Sequence, residues 1–261
     1  MLANKKIVII GGTTGLGLSA ALAFIRHGAS VVVTGRNPDS CAAAERLLGP
    51  FGRALKGDAS SEGSAEEALE LCLSTFGQID GLYHVAGGSG RKYGDGPLHE
   101  ISLEGWQKTL DMNLTSVMLS NRAAARYFHN AGHGGTVLNM GSVLGFSPSP
   151  RYFASHAYAA SKAAIIGFTK AAASFYAPQN IRFNVIAPAL VETPMAQRAA
   201  SDTEILQFIR SKQPLDGGRI GSPEDLDGMA CLLMSDDAAF ITGQVFTVDG
   251  GWTVSEGQYR T

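Results

Sequence analysis

The 261-residue chain lacks long hydrophobic runs, has few cysteines and carries almost no charge imbalance, and each shortage excludes something. No stretch approaches the roughly 18 apolar residues that a membrane-spanning helix requires. The first apolar run is short and opens directly into a glycine-rich turn, so it is expected to be neither a signal peptide nor a membrane span. Cys41, Cys72 and Cys231 show no CxxC or metal-ligand spacing, which points to reduced thiols in a cytoplasmic protein and to no metal site. A formal net charge of −2, with 21 basic residues in no long run, gives no electrostatic case for nucleic acid or an anionic membrane. Repeats, low-complexity tracts and linkers are also missing. With 45% hydrophobic residues the chain can bury a core, and 1–261 are expected to form one domain.

Glycine, by contrast, is plentiful, and its placement is informative. Lys5-Lys6-Ile7-Val8-Ile9-Ile10 reads as a buried parallel strand. Gly11-Gly12-Thr13-Thr14-Gly15-Leu16-Gly17 follows, then an Ala-rich helix closed by Gly28. Strand, glycine turn and helix together make a phosphate site, because backbone N–H groups at the helix start face an anion and missing Cβ atoms let it approach. The spacing is G-x-x-x-G-x-G, not the G-x-G-x-x-G of the common dinucleotide fingerprint.

Strand and helix patterns alternate along the chain. Strands are expected near 5–10, 29–34, 53–57, 79–85, 135–140, 180–187 and 243–248. Helices are expected near 15–27, 38–48, 61–76, 102–130, 156–177, 195–212 and 223–235. This is the pattern of an α/β fold: one doubly wound, Rossmann-type parallel sheet of about seven strands with helices on both faces. Ligands then bind at the carboxyl ends of the strands, where Gly11, 84–88, Ser142 and Pro188 all fall.

Tyr158 and Lys162 stand one helical turn apart within 156–177. A neighbouring cation favours a phenolate, so Lys162 is expected to draw Tyr158 down from its ordinary value of about 10.

Gly11, Gly15 and Gly17 with Tyr158 and Lys162 resemble the classical short-chain dehydrogenase/reductase family, and the likeness runs across almost the whole chain. Asn113 in Asp111-Met112-Asn113 is similar to the family's catalytic and structural Asn, and Ser142 in Asn139-Met140-Gly141-Ser142 to the Ser that holds the substrate carbonyl. Asn184-Val185-Ile186-Ala187-Pro188 resembles the segment closing over a nicotinamide, and Val248-Asp249-Gly250-Gly251 the C-terminal signature. The resemblance implies an NAD(P)-dependent oxidoreductase that interconverts a ketone and a secondary alcohol. Catalysis would fall to Asn113, Ser142, Tyr158 and Lys162, with Asn113 holding a water that links Lys162 to solvent. The coenzyme would meet Gly11, Thr13, Thr14, Gly15, Leu16, Gly17, Arg36, Asp58, Ala86, Gly87, Tyr158, Lys162, Pro188, Val191 and Thr193. Asp58 is equally well read as a cap for the segment that follows it.

The chain departs from the family at several points. Ile10 stands where a Thr is usual, His84-Val85-Ala86-Gly87 replaces Asn-Asn-Ala-Gly, and Pro188-Ala189 replaces Pro-Gly. Ser142 and Tyr158 are also about three residues further apart than is common, with the excess placed in 145–155. That insertion points to a distinctive substrate wall, in which Tyr152 and Phe153 either line the pocket or pack beneath the loop.

Gly35 occupies the position of a ribose-binding acid in NAD-preferring relatives, and Arg36 offers a fork suited to a 2′-phosphate, so NADP(H) is favoured with NAD(H) possible. Substrate walls are expected from 88–97, 144–153 and the loop and helix near 189–212. Arg91, Lys92 and Arg151 either favour an acidic or phosphorylated substrate or are solvated loop charges. His84 reads as an interior hydrogen-bonded group, His156 as pointing away from the phenol, and Arg26 and His27 as complements to a helix end. The Ala-rich stretches Ala123-Ala124-Ala125 and Ala171-Ala172-Ala173 point to a homo-oligomer, tetramer or dimer. The alternative function is a catalytically silent nucleotide-binding sensor or interaction protein.

Overall fold

The structure is a computed structural model and describes residues 1–257. The run Lys6–Ile10 carries four successive buried β-branched residues, the pattern of a strand covered on both faces. As β1 it pairs with β2 (Ser30–Gly35) on one side. The chain then adds β3 (Gly52–Lys56), outside β2, and β4 (Gly81–His84), which takes the other side of β1. β5 (Gly135–Met140), β6 (Ile181–Pro188) and β7 (Val245–Val248) extend the second wing. Among the described residues the sheet has seven parallel strands in the order β3-β2-β1-β4-β5-β6-β7. Strand order reverses between β1 and β4, where a doubly wound sheet opens a crevice at its carboxyl edge.

The helices are α1 (Gly15–Arg26), α2 (Pro38–Leu48), α3 (Ser64–Phe76), α4 (Leu103–Leu110), α5 (Ser116–Ala131), α6 (His156–Tyr176), α7 (Gln197–Ala200), α8 (Thr203–Lys212) and α9 (Asp227–Met234). Side chains alternate across the sheet. Ile7, Ile9, Val31 and Val33 pack with Phe24 of α1 and Leu233 of α9. Val8, Ile10 and Val32 pack on the opposite face with Leu69 of α3 and Ala124 and Phe128 of α5. Full burial contributes about 1.5–3 kcal/mol for each large apolar side chain, so both layers are needed to hold the crevice in shape.

Four helices differ from expectation; the one expected over 223–235 opens as a 3-10 turn, Pro223–Leu226, before α9. The helix expected over 102–130 is interrupted by a π turn at Asp111–Thr115, in which the Ser116 N–H reaches back to the Asp111 carbonyl. Such wide turns are frequent at functional sites, and this one carries Asn113. The helix expected over 195–212 divides into α7 and α8, because Asp202 Oδ1 accepts from the N–H groups of Glu204 and Ile205 and so caps a new start. The one expected from 61 begins at Ser64, after Gly63 at φ 89°.

The alanine argument for oligomerisation also needs correction. Ala123, Ala124 and Ala125 are buried within the chain's own core, against the sheet, and face no partner. Of the second stretch, Ala173 is likewise buried, while Ala171 is exposed.

Candidate active site

The crevice at the β1–β4 reversal is an open cleft of about 620 Å³. Every site residue expected from the sequence lines it except Gly17. Gly17 works from behind, since a Cβ there would lie 2.1 Å from the Gly11 carbonyl oxygen. Gly11, at φ 87°, is equally constrained, as its Cβ would fall 2.6 Å from the Ala86 nitrogen. The two glycines therefore let the turn close against both α1 and the end of β4. The start of α1 has no acid in its first turn, and its N-cap Thr14 makes no side-chain capping bond, so the N–H groups face the cleft unopposed. A cradle that any Cβ would fill, at an uncapped helix start, fits a dinucleotide pyrophosphate.

Past β2 lie Arg36 and Asp58. Burial raises the Asp58 pKa, but hydrogen bonds from the Ser60 N–H and hydroxyl, at 2.9 and 2.7 Å, and the charge of Arg36 bring it below its ordinary value. Asp58 thus caps a turn and also lines the cleft. Gly35 is enclosed: a Cβ there would meet Thr13 Oγ1 at 2.1 Å.

Ser142 follows β5, and its Oγ accepts the Leu144 N–H at 3.2 Å. Its hydroxyl also lies near enough to the Tyr158 phenol to favour the phenolate. Lys162, one turn further along α6, is buried, and its Nζ donates to the Met140 carbonyl at 2.8 Å, 5.6 Å from the centre of the Tyr158 ring. Asn113 is fully buried; its Nδ2 donates to the carbonyls of Gly88 and Thr109, and its Oδ1 accepts the Gly88 N–H. It thereby ties the π turn to the loop after β4, and a Cβ at Gly87 would meet both Asn113 Oδ1, at 2.7 Å, and Lys162 Nζ, at 3.7 Å.

The expected effect of Lys162 on Tyr158 is not what the structure gives. Burial raises the Tyr158 pKa above its usual value, and the group that opposes this is the Ser142 hydroxyl. Lys162 is pushed down to about 8 by its own burial. Desolvation disfavours both charged forms, and the Lys162 amine is turned toward the Met140 carbonyl and not toward the phenol oxygen.

The tip of α6 is held by a residue the motifs did not point to. The Asp95 carboxylate accepts the N–H groups of Ala157 and Tyr158, each at 3.0 Å, and so fixes the backbone of the reacting tyrosine. Trp252 was also missed. It is buried behind the C-terminal signature, donates Nε1–H to the Ser147 carbonyl and packs edge-on to Phe153 and Phe208. Its position two residues after Gly250 was the available signal. Phe153 lines the cleft, whereas Tyr152 packs on Phe208 and donates its hydroxyl to Glu204, so the loop uses one aromatic for each role.

His84 is interior, as expected. Nε2 donates to the Ala86 carbonyl at 3.0 Å, which leaves Nδ1 to accept from the Ser120 hydroxyl at 2.7 Å. Burial pushes its pKa down to about 3, so the ring stays neutral. It joins β4 to α5 in place of the usual Asn. His156 is exposed at the start of α6, away from the cleft lining. Among the described residues, no group of three His, Cys, Asp or Glu side chains is placed to hold a metal, and no helix is long and apolar enough to cross a membrane.

Comparison with known proteins agrees with this geometry. The family model described as enoyl-(acyl carrier protein) reductase matches residues 11–253. The chain is 33% identical over 256 residues to 3beta-hydroxysteroid dehydrogenase 2 of Eggerthella lenta, covering 97% of this chain and 96% of that one. A short-chain type dehydrogenase/reductase from Mycobacterium ulcerans superposes with a TM-score of 0.89 at 31% identity, covering 97% and 91% of the two chains. The 3-ketoacyl-(acyl-carrier-protein) reductase from Brucella melitensis, solved with NADH, gives a TM-score of 0.85 at 28% identity over 97% of this chain and 100% of that chain. The chain therefore belongs to the short-chain dehydrogenase/reductase family, as a nicotinamide-linked oxidoreductase acting between secondary alcohols and ketones.

Proposed function

We propose that this protein is an NADP(H)-linked carbonyl reductase or alcohol dehydrogenase in which Tyr158 transfers the proton. The observation that carries the reading is that Ser142, Tyr158 and Lys162 line one glycine-lined cleft, with Lys162 buried and its Nζ 5.6 Å from the centre of the Tyr158 ring. When bound, the coenzyme supplies or accepts the hydride. Gly11, Thr13, Thr14, Gly15 and Leu16 would hold its pyrophosphate, with Gly17 allowing the turn to close. Arg36 and Asp58 would meet the adenosine end, and Ala86, Gly87, Pro188, Val191 and Thr193 the nicotinamide end.

Tyr158, kept protonated by burial, gives its proton to the carbonyl oxygen during reduction. Oxidation needs the phenolate, so that direction should accelerate as pH rises. Ser142 donates to the same oxygen as negative charge builds on it. Lys162 is held by Met140 with donors to spare for a ribose hydroxyl. Asn113 keeps the wide turn open beside it, where a water can connect Lys162 to solvent. We read the whole chain as one catalytic unit. Three free, buried cysteines fit a cytoplasmic location.

The NADP(H) preference rests on the enclosed Gly35. A ribose-binding carboxylate cannot stand there while Thr13 is present, since even its Cβ would overlap the Thr13 side chain. Gly35→Asp alone is therefore a poor test, and Arg36→Leu is the better one. The ratio of kcat/KM for NADPH over NADH should exceed one in the wild type and fall about tenfold to a hundredfold in the variant, the worth of one charge-assisted hydrogen bond. A wild type that already prefers NADH would reduce Arg36 to a surface residue.

A homo-oligomer is also proposed, tetramer or dimer. The outer face of α6 exposes Ala163, Ala164, Gly167, Ala171 and Phe175 at helical spacing, small enough for a second helix to approach across a two-fold axis. Sedimentation as an active monomer at micromolar protein would contradict it.

A further inference from the structure

The charged residues lining the cleft are Arg36, Asp58, Arg91, Lys162 and Arg198, four cations and one carboxylate in a chain whose net charge is −2. Arg36 and Asp58 stand at the adenosine end, and Lys162 is engaged by Met140. Arg91 and Arg198 remain. They come from separate segments, the short turn Arg91–Tyr93 after β4 and α7, and both reach one acceptor. Each places an Nη2 on the Tyr152 carbonyl oxygen, at 3.3 Å from Arg91 and 3.2 Å from Arg198.

A guanidinium has five N–H donors, and among the described residues this carbonyl is the one hydrogen-bond acceptor that either takes. Neither forms an ion pair with a carboxylate. Burial, and then the charge of Arg198, lower the Arg91 pKa, and Asp95 opposes them. The Asp95 oxygens are already committed to Ala157 and Tyr158. Two like charges that share a neutral acceptor and keep most of their donors free are a site prepared for an anion.

The other cations of this region are accounted for. Arg151 is paired with Glu204, and Lys92 lies over the Tyr93 ring at 4.8 Å. Neither lines the cleft. The wall beside them also carries the apolar side chains Leu144, Phe153, Ala199 and Trp252.

We infer that Arg91 and Arg198 form an oxyanion rim that selects substrates with an apolar body and a singly charged oxyanion, a carboxylate or a sulfonate, remote from the reacting carbon. The inference rests on the oxidoreductase reading of the same cleft. It divides the three loop cations considered from the sequence: Arg91 serves the substrate, and Lys92 and Arg151 do not.

The test uses cyclic and linear ketones offered in matched forms, such as 4-oxocyclohexanecarboxylate and its methyl ester, with a keto-sulfonate to separate the two anions. In the wild type, kcat/KM should favour the acid over its ester by about tenfold or more, as charge-assisted bonds to a rim require. In Arg91→Ala with Arg198→Ala that acid-to-ester ratio should collapse toward one, carried by KM. Lys92→Ala and Arg151→Ala should keep it. If the two arginines only staple the Tyr152 loop, acid and ester will weaken together and the ratio will not move, which would overturn the inference. An independent readout is quenching of Trp252 emission, in a Trp106→Phe background, by acid against ester. Should no ketone turn over with either coenzyme, the oxidoreductase reading fails, and the titration still decides the rim. Acid binding that the double variant loses supports it, and equal binding of acid and ester refutes it.

Discussion

Tyr158→Phe should lower kcat for ketone reduction by about 10²–10⁴-fold, the usual worth of a positioned general acid, while coenzyme affinity stays close to that of the wild type. The substitution removes the hydroxyl and leaves the ring. The α6 start is unaffected, because Asp95 holds it through backbone N–H groups. The two directions should also differ in their response to pH. Burial raises the Tyr158 pKa, so the phenol stays protonated through neutral pH and reduction should be nearly level there. Alcohol oxidation needs the deprotonated form and should climb toward alkaline pH, and in the variant that climb should vanish. Steady-state rates in both directions across pH 6–10, with coenzyme binding measured separately, check the outcome. More than about a tenth of wild-type kcat in the variant would place the proton transfer on another group.

Ser142→Ala should cost about 10²–10³-fold in kcat, the scale of one lost oxyanion donor. A second effect distinguishes this from simple loss of packing. The Ser142 hydroxyl is what lowers the Tyr158 pKa against burial. Without it the alkaline rise of oxidation should move to still higher pH. Ser142→Thr, which keeps a hydroxyl beside the phenol, should restore part of the rate and bring the rise back toward its wild-type position. A pH profile that does not move in Ser142→Ala would mean that the serine does not touch the phenol in the working enzyme.

Much of the site was legible because its signals are local. The β-branched run of β1, the glycines after it and the Tyr158–Lys162 spacing each fix their geometry within a few residues. Strand alternation then put Gly11, Ser142 and Pro188 at one edge, and the cleft confirms that placement. What the sequence hid depends on contacts between distant segments. Asp95 caps a helix that begins at His156. Arg198 and Arg91 meet only through Tyr152. Thr13 closes off Gly35 across the first two strands, so a change that looks simple in sequence is sterically blocked. The π turn at Asn113 was illegible for another reason: α4 and α5 are both good helix formers, and their periodicity runs straight through the extra residue. The sign of the Tyr158 shift was misjudged because spacing shows the cation and not the burial that weakens it.

The most direct single measurement is nicotinamide absorbance in the near ultraviolet, with purified protein, NADPH or NADH, and a panel of ketones and secondary alcohols in neutral and anionic forms. Turnover of at least one substrate is expected, faster with NADPH and nearly abolished in Tyr158→Phe. Tight coenzyme binding with no turnover of any panel member in either direction would contradict it, and would leave a nucleotide-binding sensor as the reading of this cleft.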